Sequence, residues 1–150
     1  MEYDPLGLKE ILVPVDGSRA SLNALSVACV LAKRNKGRVH AVYVIEVARK
    51  LPLDADLSPE TKRGEDILKQ ARQVADSLDS EVADDLLQAR DAGHAIVDEA
   101  IERAVDSIIL GTTYKRPLGE YKMGNTAQYV LKNAPCQVIL FRAPVGGSKA

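Results

Sequence analysis

Two short stretches of this chain hold residue types that could do chemistry. One is Asp16-Gly17-Ser18, which directly follows the apolar run Ile11-Leu12-Val13-Pro14-Val15. The other starts at Gly111-Thr112, after an apolar run that ends at Leu110, and leads to Gly124-Asn125-Thr126 at the start of a helical pattern. A glycine-spaced loop that leaves a strand and feeds a helix is where α/β proteins bind phosphates. The first N–H groups of a helix have no internal partners and sit at the positive end of its dipole. The chemistry suggested is nucleotide chemistry. Within the loop, Lys115, Arg116 and Lys122 could neutralise phosphates, and Gly119 adds a flexible point. The plainer reading of those cations is a solvated loop face. Asp16 could equally be a turn or capping residue before Gly17. Asn125-x-x-Gln128 has the form of a capping box, with Asn in place of Ser or Thr, and such a cap is compatible with a phosphate site.

The elements that must position these residues alternate regularly. Ile11–Val15 is a short apolar run suited to a strand buried on both faces. Ser18 can cap a helix whose apolar residues are Leu22, Leu25, Cys29 and Ala32, with a stop at Gly37. Val39–Val47 predicts the second strand, and Ala48–Leu57, with its Pro and charges, reads as a mobile connection. Ser58-Pro59-Glu60 gives an N-cap, a first-turn Pro and an early acid, opening a helix with Ile67, Ala71, Val74, Ala75 and Leu78 on one face. Leu86–Arg90 is a weak strand at an edge, because Asp84 and Asp85 crowd its start. A third helix carries Ile96, Val97, Ala100, Ile101 and Ala104. Strand Val105–Leu110 follows, then helix Asn125–Asn133 with Ala127, Val130, Leu131 and Ala134 on one face, and strand Gln137–Arg142. Five strands alternating with helices predict one α/β domain: a three-layer α/β/α sandwich on a mainly parallel sheet. Ligands of such sheets sit outside the carboxyl ends of the strands. If the first and fourth strands are neighbours, Asp16 and Gly111 meet there.

Composition narrows the function classes. The 150 residues carry a formal net charge of -1, no Trp and one Phe, which argues against a nucleic-acid surface or an aromatic stacking platform. Cys29 and Cys136 stand far apart, and His40 and His94 are isolated, so no metal spacing exists. Asp54/Asp56 and Asp84-Asp85 lack EF-hand spacing. No apolar run reaches the ~20 residues of a membrane span. The N-terminal MEYDPLGLKE is unlike a signal peptide, so the expected location is cytoplasmic.

The chain resembles the universal stress protein family over about Leu8 to Arg142. The resemblance rests on ILVPVDGS, on DSIILG, and on GNTAQYVLKNAPCQVILFR. It implies an adenine nucleotide alpha hydrolase-like sheet of order 3-2-1-4-5 and a homodimer paired through the last strand. One branch of the family binds ATP through G-x2-G-x9-G-[S/T]. On this chain Gly111 and Gly124 keep the overall spacing, while Tyr114 and Asn125 replace the second Gly and the Ser/Thr. The residues that the resemblance assigns to an adenine nucleotide are Pro14, Asp16, Val44, Gly111, Thr112, Gly124, Asn125 and Thr126. Asp16 and Val44 fall on the base and ribose side, and any Mg²⁺ would enter with the nucleotide. The leading expectation is a regulatory domain that binds ATP or another adenine nucleotide. The alternative is a dimerisation or protein-interaction module of the same family, with Tyr114 filling the pocket. Hydrolysis has little support, because there is no GxxxxGK[ST] loop and no assigned base or arginine finger.

Overall fold

The computed structural model describes residues 4–113 and 124–144. The chain runs β1 (Glu10–Pro14), α1 (Arg19–Arg34), β2 (Arg38–Glu46), α2 (Ser58–Ser77), β3 (Val82–Ala89), α3 (Ala92–Arg103), β4 (Ser107–Thr112), α4 (Asn125–Asn133) and β5 (Gln137–Arg142). All five strands lie in one sheet of order β3-β2-β1-β4-β5, and every neighbouring pair is parallel. The chain thus winds outward from β1 to one edge, returns to the centre at β4 and finishes at the other edge. Between β1 and β4 the winding reverses, which opens a crevice at their carboxyl ends.

Successive strand residues point to opposite faces, so each central strand feeds two cores. Ile11, Val13, Val39, Ala41 and Ile109 pack with Ala24, Leu25 and Ala28 of α1 and Ile67, Leu68 and Ala71 of α2. On the other face Leu12, Val42, Ile108 and Leu110 pack with Ile96, Val97 and Ala100 of α3 and Ala127 and Val130 of α4. Burial on both sides explains why β1 and β4 read as continuous apolar runs rather than alternating ones. Cys29 is buried and Cys136 half-buried, both as free thiols, and burial pushes each thiol's pKa up.

Several boundaries differ from the sequence expectation, each for a physical reason. β3 starts at Val82, not Leu86. Asp84 and Asp85 do not break it, because the first points to α2 and pairs with Arg72, while the second points to α3 and pairs with Arg103. Ser58 is the first residue of α2 rather than its cap. The cap is Leu57, and the Ser58 hydroxyl donates to Asp56 at 2.6 Å. The Ala48–Leu57 connection is fastened to β3: Gln88 donates to the carbonyls of Leu53 and Ala55, and Arg90 to that of Ala48. Ile101 and Leu131, expected on buried helix faces, are 57% and 45% exposed. β4 lies two residues further on than expected, so Gly111 is within it, opposite Phe141.

Candidate functional site: a cavity at the carboxyl ends of the strands

The turn after β1 is held by hydrogen bonds among its own residues. Gly17 adopts φ +87°, a conformation that side chains oppose. This folds Ser18 back so that its N–H donates to Asp16 Oδ1 at 2.9 Å. The Ser18 hydroxyl accepts from Ser21 N–H at 3.1 Å and so caps α1, as its position predicts. Ser21 is itself 3% exposed; its hydroxyl donates to the Ser18 carbonyl and accepts from Asp16 N–H. Desolvation works to raise the Asp16 pKa, but the hydrogen bonds from Ser18 and Ser21 outweigh it and hold the carboxyl below its ordinary value. Asp16 is a fixed carboxylate at neutral pH.

β2 contributes main-chain groups. In a strand the N–H and C=O of one residue point to the same neighbour, and alternate residues point to opposite neighbours. The Val42 carbonyl accepts from Val15 N–H at 2.8 Å, so Val42 faces β1. Val44 faces the same way, but the β1–β2 register stops at Pro14↔Val42. The N–H and C=O of Val44 therefore open into the crevice.

β4 and α4 supply the other wall. A Cβ added to Gly111 would lie 2.1 Å from the Ala20 carbonyl oxygen, so the first turn of α1 demands a glycine there. Gly124 is different. It caps α4 at φ -65° and ψ 156°, backbone angles open to any residue, and a Cβ there would meet nothing within 4 Å among the described residues. Among the described residues no side chain caps α4. Asn125 is its first residue rather than its N-cap, so the expected capping box does not form. Among the described residues the N–H groups of Asn125, Thr126 and Ala127 have no partner.

These parts enclose a cavity of about 1000 Å³. All eight residues singled out in the sequence line it: Pro14, Asp16, Val44, Gly111, Thr112, Gly124, Asn125 and Thr126. Tyr114, Lys115, Arg116, Gly119 and Lys122 lie outside the described residues. Sequence reasoning missed Glu46, Asp91 and Ala92, which also line the cavity. Glu46 Oε2 accepts from Ala92 N–H at 2.8 Å, and Asp91 caps α3 by accepting from His94 N–H at 3.0 Å. A signal for Glu46 was available, since it closes the apolar run of β2 much as Asp16 follows that of β1. The hydrogen bond from the His94 side chain is the main cause that keeps Asp91 below the ordinary Asp value. Two helix N-termini thus meet the cavity: that of α3 is sealed by carboxylates, and that of α4 is open. An anion is repelled at the first and attracted at the second.

The opposite end of the sheet has a denser set of titratable groups, but they satisfy one another. Arg38 and His40 both reach Glu10, at 3.1 and 3.0 Å. Arg103 approaches His40 Nδ1 at 3.2 Å and pairs with Glu99 at 2.6 Å and with Asp85. A guanidinium only donates, so Nδ1 accepts and Nε2–H donates to Glu10. The hydrogen bond from His40 is the largest cause lowering the Glu10 pKa. His40 is a structural histidine, as its place in β2 suggests.

The sequence model of the Universal stress protein family matches residues 7–142. A universal stress protein of Methanocaldococcus jannaschii is 32% identical over 142 residues, covering 91% of this chain and 83% of that protein. The structure of universal stress protein UspA from Lactobacillus plantarum superposes with a TM-score of 0.72 at 32% identity, over 89% of this chain and 97% of that one. A universal stress protein of Archaeoglobus fulgidus in complex with dAMP gives 0.71 at 20% identity, over 88% and 96% of the two chains. One from Arabidopsis thaliana with AMP bound gives 0.66 at 13% identity, over 95% and 96%. The last two likenesses speak for the fold.

Proposed function

The chain belongs to the universal stress protein family, and on that premise we propose that it is a regulatory protein that binds an adenine nucleotide in the cavity between Asp16 and α4. The observation that carries this reading is the uncapped N-terminus of α4. It opens into a 1000 Å³ cavity whose other end carries the Asp16, Glu46 and Asp91 carboxylates. That polarity orients a nucleotide. The phosphates go to the N–H groups of Asn125 and Thr126, and Gly124 leaves them room. The ribose hydroxyls find an ionised acceptor in Asp16, and the base meets the main chain of Val44. ATP is the expected ligand, with Mg²⁺ arriving on its phosphates; the dAMP and AMP held by relatives make monophosphates the next candidates. Occupancy would alter the surface around the cavity and so a partner's affinity, the kind of output a cytoplasmic stress-response regulator needs.

Thermal melts with AMP, ADP and ATP, each with and without Mg²⁺, test this directly. A ligand at 100 times its Kd stabilises by about 2.7 kcal/mol. A rise in Tm of several degrees is expected, and no rise with any of the three would overturn the reading.

A homodimer through β5 accompanies this proposal. The two edges of the sheet differ in character. On β3, the Asp84 and Asp85 charges are paired and the end of the strand is bridged by the preceding loop. β5 is VILF at its centre, pairs only with β4 among the described strands, and stays half-buried throughout Val138–Phe141. Leu131 projects from the side of α4 opposite Tyr129, which packs on α3, and so extends the apolar edge. Sedimentation should show a dimer that Ile139→Lys converts to monomer. A wild-type monomer at high concentration would refute it.

A further inference from the structure

Glu46 ends β2 two residues beyond Val44, on the same edge of the strand and facing the same crevice. Its carboxylate is anchored by one oxygen only. Oε2 accepts from Ala92 N–H at 2.8 Å, while Oε1 has no partner among the described residues. Asp91 stands nearby on the α3 side, where its Oδ1 serves both the N–H and the ring of His94, whereas Glu46 continues the β2 edge that carries Val44. Along the β2 edge a ligand meets a main-chain N–H and C=O at Val44, and then the Glu46 carboxylate oxygen that has no partner among the described residues. That row of groups has a chemical meaning for a purine. An exocyclic amine has two N–H donors, one for the Val44 carbonyl and one for the Glu46 carboxylate. A keto oxygen in the same place has only lone pairs and would be set against an anion.

We propose that Glu46 is a specificity-determining residue of the site and selects 6-aminopurine nucleotides through a hydrogen bond from the 6-amino group to its free carboxylate oxygen. This rests on the nucleotide reading above. The bond to Ala92 fixes the carboxylate beforehand, so recognition needs no rearrangement of the side chain. A 6-keto purine pays twice, through repulsion by the carboxylate and through the loss of a charge-assisted hydrogen bond. A purine with hydrogen at position 6 keeps the ring and its N1 acceptor and loses only the amine.

Calorimetric titrations of AMP, purine riboside 5′-monophosphate and IMP test this on the wild-type protein and on Glu46→Gln. Gln keeps an oxygen for Ala92 N–H, so that first-turn donor of α3 stays satisfied while Asp91 still caps the helix, and the unliganded Tm checks the fold. The wild type should bind AMP about tenfold tighter than the 6-hydrogen analogue, and IMP the weakest of the three. In Glu46→Gln the ratio of AMP to the analogue should shrink to about threefold or less. An unchanged ratio in the variant, or equal affinities for AMP and the analogue in the wild type, would overturn this proposal alone. If the wild type binds none of the three, the nucleotide reading falls together with it. The comparison of ligands on the wild type needs no variant, so a misfolded Glu46→Gln would not shield the idea.

Discussion

The two ends of the sheet are built from similar materials to opposite effect. The amino end gathers Glu10, Arg38, His40, Glu99 and Arg103, and each has a partner within 3.2 Å. The carboxyl end gathers Asp16, Glu46, Asp91 and the first turn of α4, and among the described residues leaves acceptors on one side and donors on the other unpaired. Titratable groups that close on one another hold elements together. Groups that the fold positions and then leaves unsatisfied are offered to something else. Density of charge alone would single out the amino end.

The sharpest way to break the comparison is with two glycines of the cavity wall. Gly111→Ala would drive a methyl group into the Ala20 carbonyl, so a loss of about 3 kcal/mol in stability is expected by denaturant titration. Gly124→Ala meets open space and should cost less than about 1 kcal/mol, yet it should weaken nucleotide binding. Equal stability losses would show that Gly124, too, serves the fold.

A second pair crosses the two ends. Arg103→Met should lower stability by about 1–2 kcal/mol, a figure reduced because the side chain is 30% exposed. Nucleotide affinity should stay unchanged. Asp16→Asn keeps an oxygen for Ser18 N–H and so preserves the turn, but it removes the charge. It should weaken nucleotide binding about tenfold with a small change in stability. The reverse pattern would place the ligand at the amino end.

The smallest effect is in the acid range. Glu10 sits below its ordinary 4.5 in the folded state, chiefly through the His40 hydrogen bond. The unfolded chain therefore takes up the proton first, and the stabilisation present above pH 4.5 fades as pH falls through the lowered folded value. Glu10→Gln should flatten the decline of the urea midpoint below pH 4.5, where the wild type falls more steeply. Identical slopes would show that the pair contributes nothing to acid stability.

Much of this was legible in the sequence, and the exceptions have a common origin. Apolar runs at Ile11–Val15 and before Gly111 mark the central strands because those strands are buried on both faces, which leaves few other readings. β3 was shortened because Asp84 and Asp85 look like breaks until Arg72 and Arg103 arrive from opposite faces. Ile101 and Leu131 fit a helical stripe, but the buried stripe is narrower than the periodicity allows. The eight residues chosen by family spacing and strand ends all line the cavity. Asp91 is a local cap of α3 that its spacing to His94 could have revealed, whereas Glu46 left only the signal of its place at a strand end, because its bond to Ala92 exists once β2 and α3 are assembled. Gly111 illustrates the same limit: a motif position that suggested a ligand is required first by the Ala20 backbone.

The most direct test of the contrast between the two ends is a titration of AMP followed by amide NMR shifts. The account predicts changes at Asp16–Ser18, Val44–Glu46, Gly111–Thr112 and Gly124–Ala127, with Glu10, Arg38, His40 and Arg103 unmoved. Shifts concentrated at the Glu10–Arg103 end, or none at saturating AMP, would contradict it.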